Sequence, residues 1–163
     1  MQPRASTRLV GIICPALAGL EAGVAGGILV LGWWALGSLA ARQSVWTIPE
    51  RLGAHFFYHG VVYRNELVMA VVAGVALQIA STGTLGALFG VAVRSWWGLQ
   101  RVVLLGLGTG LCWHYAGYEV LMRTAYALPP RRIMLAGHLL FGLSLGMYRR
   151  FLEPLQSGQR ART

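Results

Sequence analysis

Residues 19–27 read Gly-Leu-Glu-Ala-Gly-Val-Ala-Gly-Gly, and Glu21 is the one charged side chain in the run from Leu9 to Ala41. Gly19, Gly23 and Gly27 recur at every fourth position, so in a helix they stack into a strip along one face. A long apolar run carrying such a strip is the pattern of a helix that crosses a bilayer and lets another backbone come close. The pattern recurs along the chain, with Gly86 and Gly90, Gly106 and Gly110, and Gly142 and Gly146 each four apart in later apolar runs. In lipid, burying apolar surface gives helices little reason to associate, so close packing along such strips supplies much of the attraction.

A bilayer core of about 30 Å takes roughly 20 residues at 1.5 Å each. The runs at 17–41, 67–93, 99–122 and 133–151 meet that length. The expected fold is an all-α membrane protein, a four-transmembrane-helix up-down bundle in one domain over residues 1–152, followed by a polar basic tail at 153–163. Pro15 suits the first turn of the first span better than its interior. Between the first two spans, Thr47-Ile48-Pro49-Glu50 resembles a helix start. It predicts a short interfacial helix from Pro49 to about Tyr58, lying along the membrane surface. Trp33, Trp34, Trp46, Trp96, Trp97, Tyr58, Tyr63 and Tyr126 fall largely near predicted span ends, as in an aromatic belt.

The composition agrees. The chain has 163 residues, 56% of them hydrophobic and 12% charged, with a mean hydropathy of +0.57. That is too apolar for a soluble domain of this size. The basic side chains are all arginine and the net charge is +9. The arginines lie in the gaps between apolar runs, which points to the lipid bilayer and its anionic headgroups as partners, not to nucleic acid. Met1 to Arg8 has the basic character of a signal-peptide leader, but the apolar run behind it is too long for one and is read as a retained helix. Ile13 before Cys14 argues against a lipoprotein site, and Cys14 and Cys112 are read as packed small hydrophobes. The distribution of arginine between the two faces favours cytoplasmic termini in a bacterial inner membrane.

Glu21 lies off the main glycine strip. One reading carries its carboxylate to the interface, helped by the positive end of its helix; another makes it, with Glu119, part of a proton or ion path. The four histidines all fall on the face opposite the termini. His55 and His59 are one helical turn apart, a spacing compatible with a divalent metal. His114 and His138 flank the third connection at similar depths and offer a haem or other cofactor two ligands from facing helices. The alternative to both is purely structural histidine, with no cofactor. Ser81, Thr82 and Thr84 are expected to bond back to the preceding helical turn, and Gln78 to make an interhelical hydrogen bond. There is no Gly-x-Ser-x-Gly, P-loop or dinucleotide fingerprint.

The stretches GLEAGVAGGILV from Gly19, STGTLGALFGVAV from Ser81 and AGHLLFGLSLGMYRR from Ala136 together resemble small bacterial four-span membrane proteins with no assigned activity. The resemblance implies a four-helix membrane protein and a helix-packing role for His138, and carries over no catalytic residue. The function expected is that of a non-enzymatic structural or accessory component, partnered by other membrane subunits or by itself. An electron-transfer protein using the histidines, or a small-solute or proton transporter using Glu21 and Glu119, are the alternatives.

Overall fold

The computed structural model describes residues 5–57, 66–93, 96–117 and 131–160, with side chains described from 11 to 155 within those ranges. Among the described residues the chain is all helical: α1 (Ala5–Ala40), α2 (Thr47–Phe57), α3 (Leu67–Ala92), α4 (Leu99–His114), α5 (Arg131–Leu145) and α6 (Tyr148–Arg160). Within these, Gly11–Ala40 and Leu67–Ala92 are each long and apolar enough to cross a membrane. α4 and α5, at 16 and 15 residues, rise about 24 and 22 Å at 1.5 Å per residue. Of the four spans expected from sequence, two are long helices, the third is described only to residue 117, and the fourth is divided between α5 and α6. The run at 133–151 is broken by a turn at Gly146 and Met147, where the amides bond to the carbonyls of Leu143 and Ser144 at 2.9 Å each. The segment expected as a tail continues α6 as far as Arg160.

The glycine strips account for how the helices meet. A methyl group added to Gly19 would strike the Gly86 carbonyl oxygen and lie 2.9 Å from the Gly90 Cα; one added to Gly86 would lie 2.6 Å from the Gly23 Cα. Gly27 faces the Thr82 hydroxyl, and Gly90 faces the Pro15 carbonyl. The pairing order, with Pro15 against Gly90 and Gly27 against Thr82, makes α1 and α3 antiparallel with their backbones in contact. A second seam joins α4 to α5. There Gly106 faces the Gly142 carbonyl and Gly110 faces the His138 carbonyl. Gly146 belongs to the turn after α5, and a methyl on it would lie 2.9 Å from the Val103 side chain.

A parallel ladder on α1 serves other partners. Ala18, Ala22, Gly26, Val30, Trp34 and Ser38, again four apart, are all buried. Gly26 meets Ser144 and Phe141, and Gly137 of α5 meets Trp33 and Trp34. The Trp33 indole donates to the Ile133 carbonyl at 2.9 Å. α1 is therefore the hub, packed on α3, α5 and α6. Pro15 lies inside α1 instead of opening it. The residue whose carbonyl a helical proline crowds, four positions back, is Gly11, which has open space around it. α6 turns Tyr148 and Leu152 into the core and packs Phe151 and Leu155 against it. Tyr148 meets Phe89 edge to face with centroids 6.2 Å apart.

The connection to α2 departs from expectation. Gln43 and Arg42 donate backbone bonds to Ser38 and Leu39 at 2.9 Å each. Arg42 has φ 55°, the left-handed conformation that closes a helix end and is usually given to glycine. The chain reverses there, and α2 lies along α3 with a glycine in each backbone, Gly53 against Ala70 and Gly74 against the Pro49 carbonyl. A helix expected along the membrane surface is thus packed on a long helix, with Ile48, Pro49, Gly53 and Ala54 buried. Trp46 and Trp96 are exposed, as in a belt. Trp34 is 1% exposed and belongs to the core instead. Tyr58, Tyr63 and Tyr126 lie outside the described residues.

These contacts separate glycines that matter from glycines that do not. Gly23→Leu is expected to push α1 off α3 and cost about 1–3 kcal/mol or more. At Gly108 a methyl meets nothing within 4 Å, so Gly108→Ala is expected to gain about 0.5–1 kcal/mol from helix propensity alone. Unfolding in mild detergent titrated with dodecyl sulfate, followed by circular dichroism, measures both.

Candidate functional site

The α4–α5 seam sets up the histidines. Val102, Gly106, Gly110 and His114 form one buried ladder on α4, and Met134, His138 and Gly142 one on α5. Because the glycines bring the two backbones together, the next turn places His114 directly opposite His138. Their Nδ1 atoms are 3.1 Å apart and each residue is 4% exposed. At that distance one ring nitrogen donates to the other, so the two carry opposite tautomeric roles. His138 also bonds to the backbone of Met134. Just beyond the pair α4 passes into a wider π turn over residues 115–117.

This geometry bears on the haem reading. His114 and His138 are the residues that would hold a haem or other cofactor between α4 and α5, and in this arrangement their Nδ1 atoms face each other at 3.1 Å. No group of three or more metal-ligating side chains occurs among the described residues. His55 is half-buried on α2 and its ring meets Phe56 edge to face, with centroids 5.1 Å apart. Its expected companion His59 lies outside the described residues, as does Glu119. Glu21 is exposed on α1, turned away from the seam that Gly19 and Gly23 make with α3.

Beside the histidine pair lies a cavity of about 150 Å³. All five helices from α1 to α5 reach it. Its wall includes Trp34, Phe56, Gln78, Ser81 and Trp113, with His138 at one side. Gln78 falls near the middle of α3 and is 4% exposed. Its backbone carbonyl accepts from the Thr82 hydroxyl at 2.8 Å and from the Ser81 hydroxyl at 3.0 Å, so these two hydroxyls are satisfied within their own helix. The interhelical bond expected of the Gln78 amide is not made at its nitrogen: Gln78 Nε2 and the indole Nε1 of Trp34 are buried without a hydrogen-bond partner among the described residues. Unpaired buried donors cost about 1–3 kcal/mol each; both nitrogens are themselves buried, and a methyl on Gly137 of α5 would lie 3.1 Å from that of Trp34.

Neither the cavity nor Trp34 was anticipated from sequence. The signal for Trp34 was present, since it continues the Ala22, Gly26, Val30 ladder by fours. Comparison with known proteins adds no relative: no family model, curated protein or solved structure matches the chain.

Breaking the pair leaves a buried imidazole without the partner at 3.1 Å. His114→Ala and His138→Ala are each expected to destabilise by about 1–3 kcal/mol, and the double variant by less than their sum. A double-mutant cycle on unfolding free energies checks this, with a coupling of about 0.5–3 kcal/mol expected for groups in direct contact.

Proposed function

We propose that the chain is an integral membrane protein of four passes in a bacterial inner membrane, acting as a non-enzymatic structural or accessory component of a larger membrane assembly. The observation that carries the membrane reading is the apolar outer surface. The interior combines glycine and alanine with apolar side chains such as Val30, Trp34, Phe141 and Leu145, and with the polar side chains Ser38, Gln78, Thr82, His114, His138 and Ser144. Large apolar side chains face outward, among them Ile28, Leu36, Val68, Met69, Leu88 and Leu104, each more than half exposed. A chain surrounded by water has no reason for that arrangement, and a lipid-facing one does.

On this reading α1 and α3 are full spans. α4 with the turn after it, residues 99–117, rises about 28 Å and makes a third pass, and α5 with the start of α6 makes the fourth. Exposed arginines at the helix ends, including Arg42, Arg101 and Arg132, meet anionic headgroups, and the termini are cytoplasmic. The accessory role is supported by how the helices are joined: backbone-to-backbone seams link α1 to α3, α2 to α3 and α4 to α5. The resemblance of the three glycine-rich stretches to small four-span proteins points the same way.

The chain is expected to stay in the membrane pellet through an alkaline carbonate wash and to leave it only with detergent. In a mild detergent it is expected to migrate on a native gel as part of a larger assembly, and as a single chain once dodecyl sulfate is added. Release by carbonate would remove the membrane reading; migration as a single chain in every detergent would remove the accessory role and leave the membrane reading standing.

A further inference from the structure

The outer faces of α1 and α4 carry opposite charges at one depth, and α5 sets the level for both. Gly26 of α1 meets Phe141 and Ser144, while Gly106 of α4 faces Gly142 and Leu145. Five residues before each glycine comes a charged side chain, Glu21 on α1 and Arg101 on α4. Both helices run antiparallel to α5, since Gly37 meets Ile133 and Gly110 meets His138. At 1.5 Å per residue each charge therefore stands about 7.5 Å past the same turn of α5. Both side chains are exposed, and neither makes an ion pair among the described residues. α5 packs on α1 and on α4 and separates them, so one chain does not close this pair on itself.

Below the charges the two faces match in size. Ile28 of α1 is 59% exposed, and level with it stands Gly108 of α4, which has open space around it. Leu36 is 63% exposed, and level with it stands Ala116. Gly108 and Ala116 both line an open apolar groove of about 530 Å³ beside α4, with Leu85 of α3 on its other bank. α1 thus presents projecting aliphatic side chains, and α4 a groove lined by small residues, in the same register as the charges. Copies that share one bilayer and one orientation keep every residue at its own depth, so the register within a chain also holds between chains.

We propose that this chain assembles with copies of itself, the outer face of α1 seating in the α3–α4 groove of the next copy, with Ile28 against Gly108 and Glu21 paired with Arg101. The contact joins two different patches, so it is head-to-tail and repeats until it closes into a ring. A carboxylate turned to lipid is costly, and a guanidinium at its own depth offsets that cost. The proposal rests on the membrane reading, since a bilayer is what holds the copies level, and it names the chain itself as a partner within the accessory assembly.

The test purifies the full chain in a mild detergent and reads its mass by native mass spectrometry as the protein is diluted. A complex holding several copies of this chain, of one discrete mass, is expected. Glu21→Arg and Arg101→Glu each set like charges opposite one another and are expected to weaken self-association at least tenfold. The double variant restores opposite charges in the reversed sense and is expected to recover it. Gly108→Phe, which fills the groove, is expected to leave single chains. These positions are exposed, so circular dichroism and melting of every variant are expected to match the parent. A single chain at every concentration overturns the proposal, as does a multimer that both single reversals leave intact or that the double variant does not restore. A carbonate-resistant chain found as one copy among other subunits loses the self-contact and keeps the membrane and accessory readings; a chain released by carbonate loses all three.

Discussion

The close approach of two helix backbones at the α1–α3 seam is the contact on which the rest of this structure depends. Gly19, Gly23, Gly86 and Gly90 leave no side-chain atoms between the helices, so carbonyls of one lie against α-carbons of the other. Contact at that range gains dispersion energy along the full seam and needs no water to be displaced. It also fixes register: a shift by one residue would bring Leu20 or Leu85 into the space of a hydrogen atom. With α1 held against α3, the neighbouring ladder on α1 is free for α5. α5 in turn carries α4 through the same device at Gly106, Gly110 and Gly142. The molecule is assembled from one kind of joint used repeatedly.

Close seams have a geometric cost that explains the cavity. Helices in backbone contact at one point diverge from it, because straight cylinders cross and do not run parallel. α1 touches α3 through Thr82 to Gly90, and α4 touches α5 through Gly106 and Gly110. About a turn beyond those joints, at Gln78 and Trp113, the side chains do not close the gap, and His138 stands at its edge. Tight packing at the joints and a void among them follow from one geometry. The histidine pair marks the rim of that void on the α4–α5 side, where the backbones are still near enough for two rings to bond.

Much of the architecture was legible because four-residue spacing is a local property. The ladders Gly19, Gly23, Gly27 and Gly86, Gly90 can be read without knowing what they face. Running the α3 ladder backward through Thr82, Gln78, Gly74 and Ala70 would also have exposed the seam with α2. That α2 folds back was not legible, because it turns on Arg42 taking a left-handed conformation that sequence statistics assign to glycine or asparagine. Similar depth brought His114 and His138 to one level in the sequence reading. It could not say how the two rings would meet, since that depends on how closely Gly106, Gly110 and Gly142 bring the two backbones together. The cavity was beyond reach because five helices contribute to it and no one segment contains its pattern.

The central position of α1 has a consequence for how the protein is made. α1 leaves the ribosome before α3 and α5, carrying two bare strips, while the partners for them arrive later: Thr82 to Gly90 for one, Ile133 to Ser144 for the other. Until α3 is synthesised the first strip has no partner, and the second stays open until α5 has emerged. A nascent chain stalled between α3 and α5 therefore presents a half-zipped hub, a shape suited to engaging the wrong small-residue strip on a neighbouring chain. Completion of α5 is the event that retires that hazard, so the order of synthesis, and not the stability of any one helix, decides when this protein becomes safe to leave alone in a membrane.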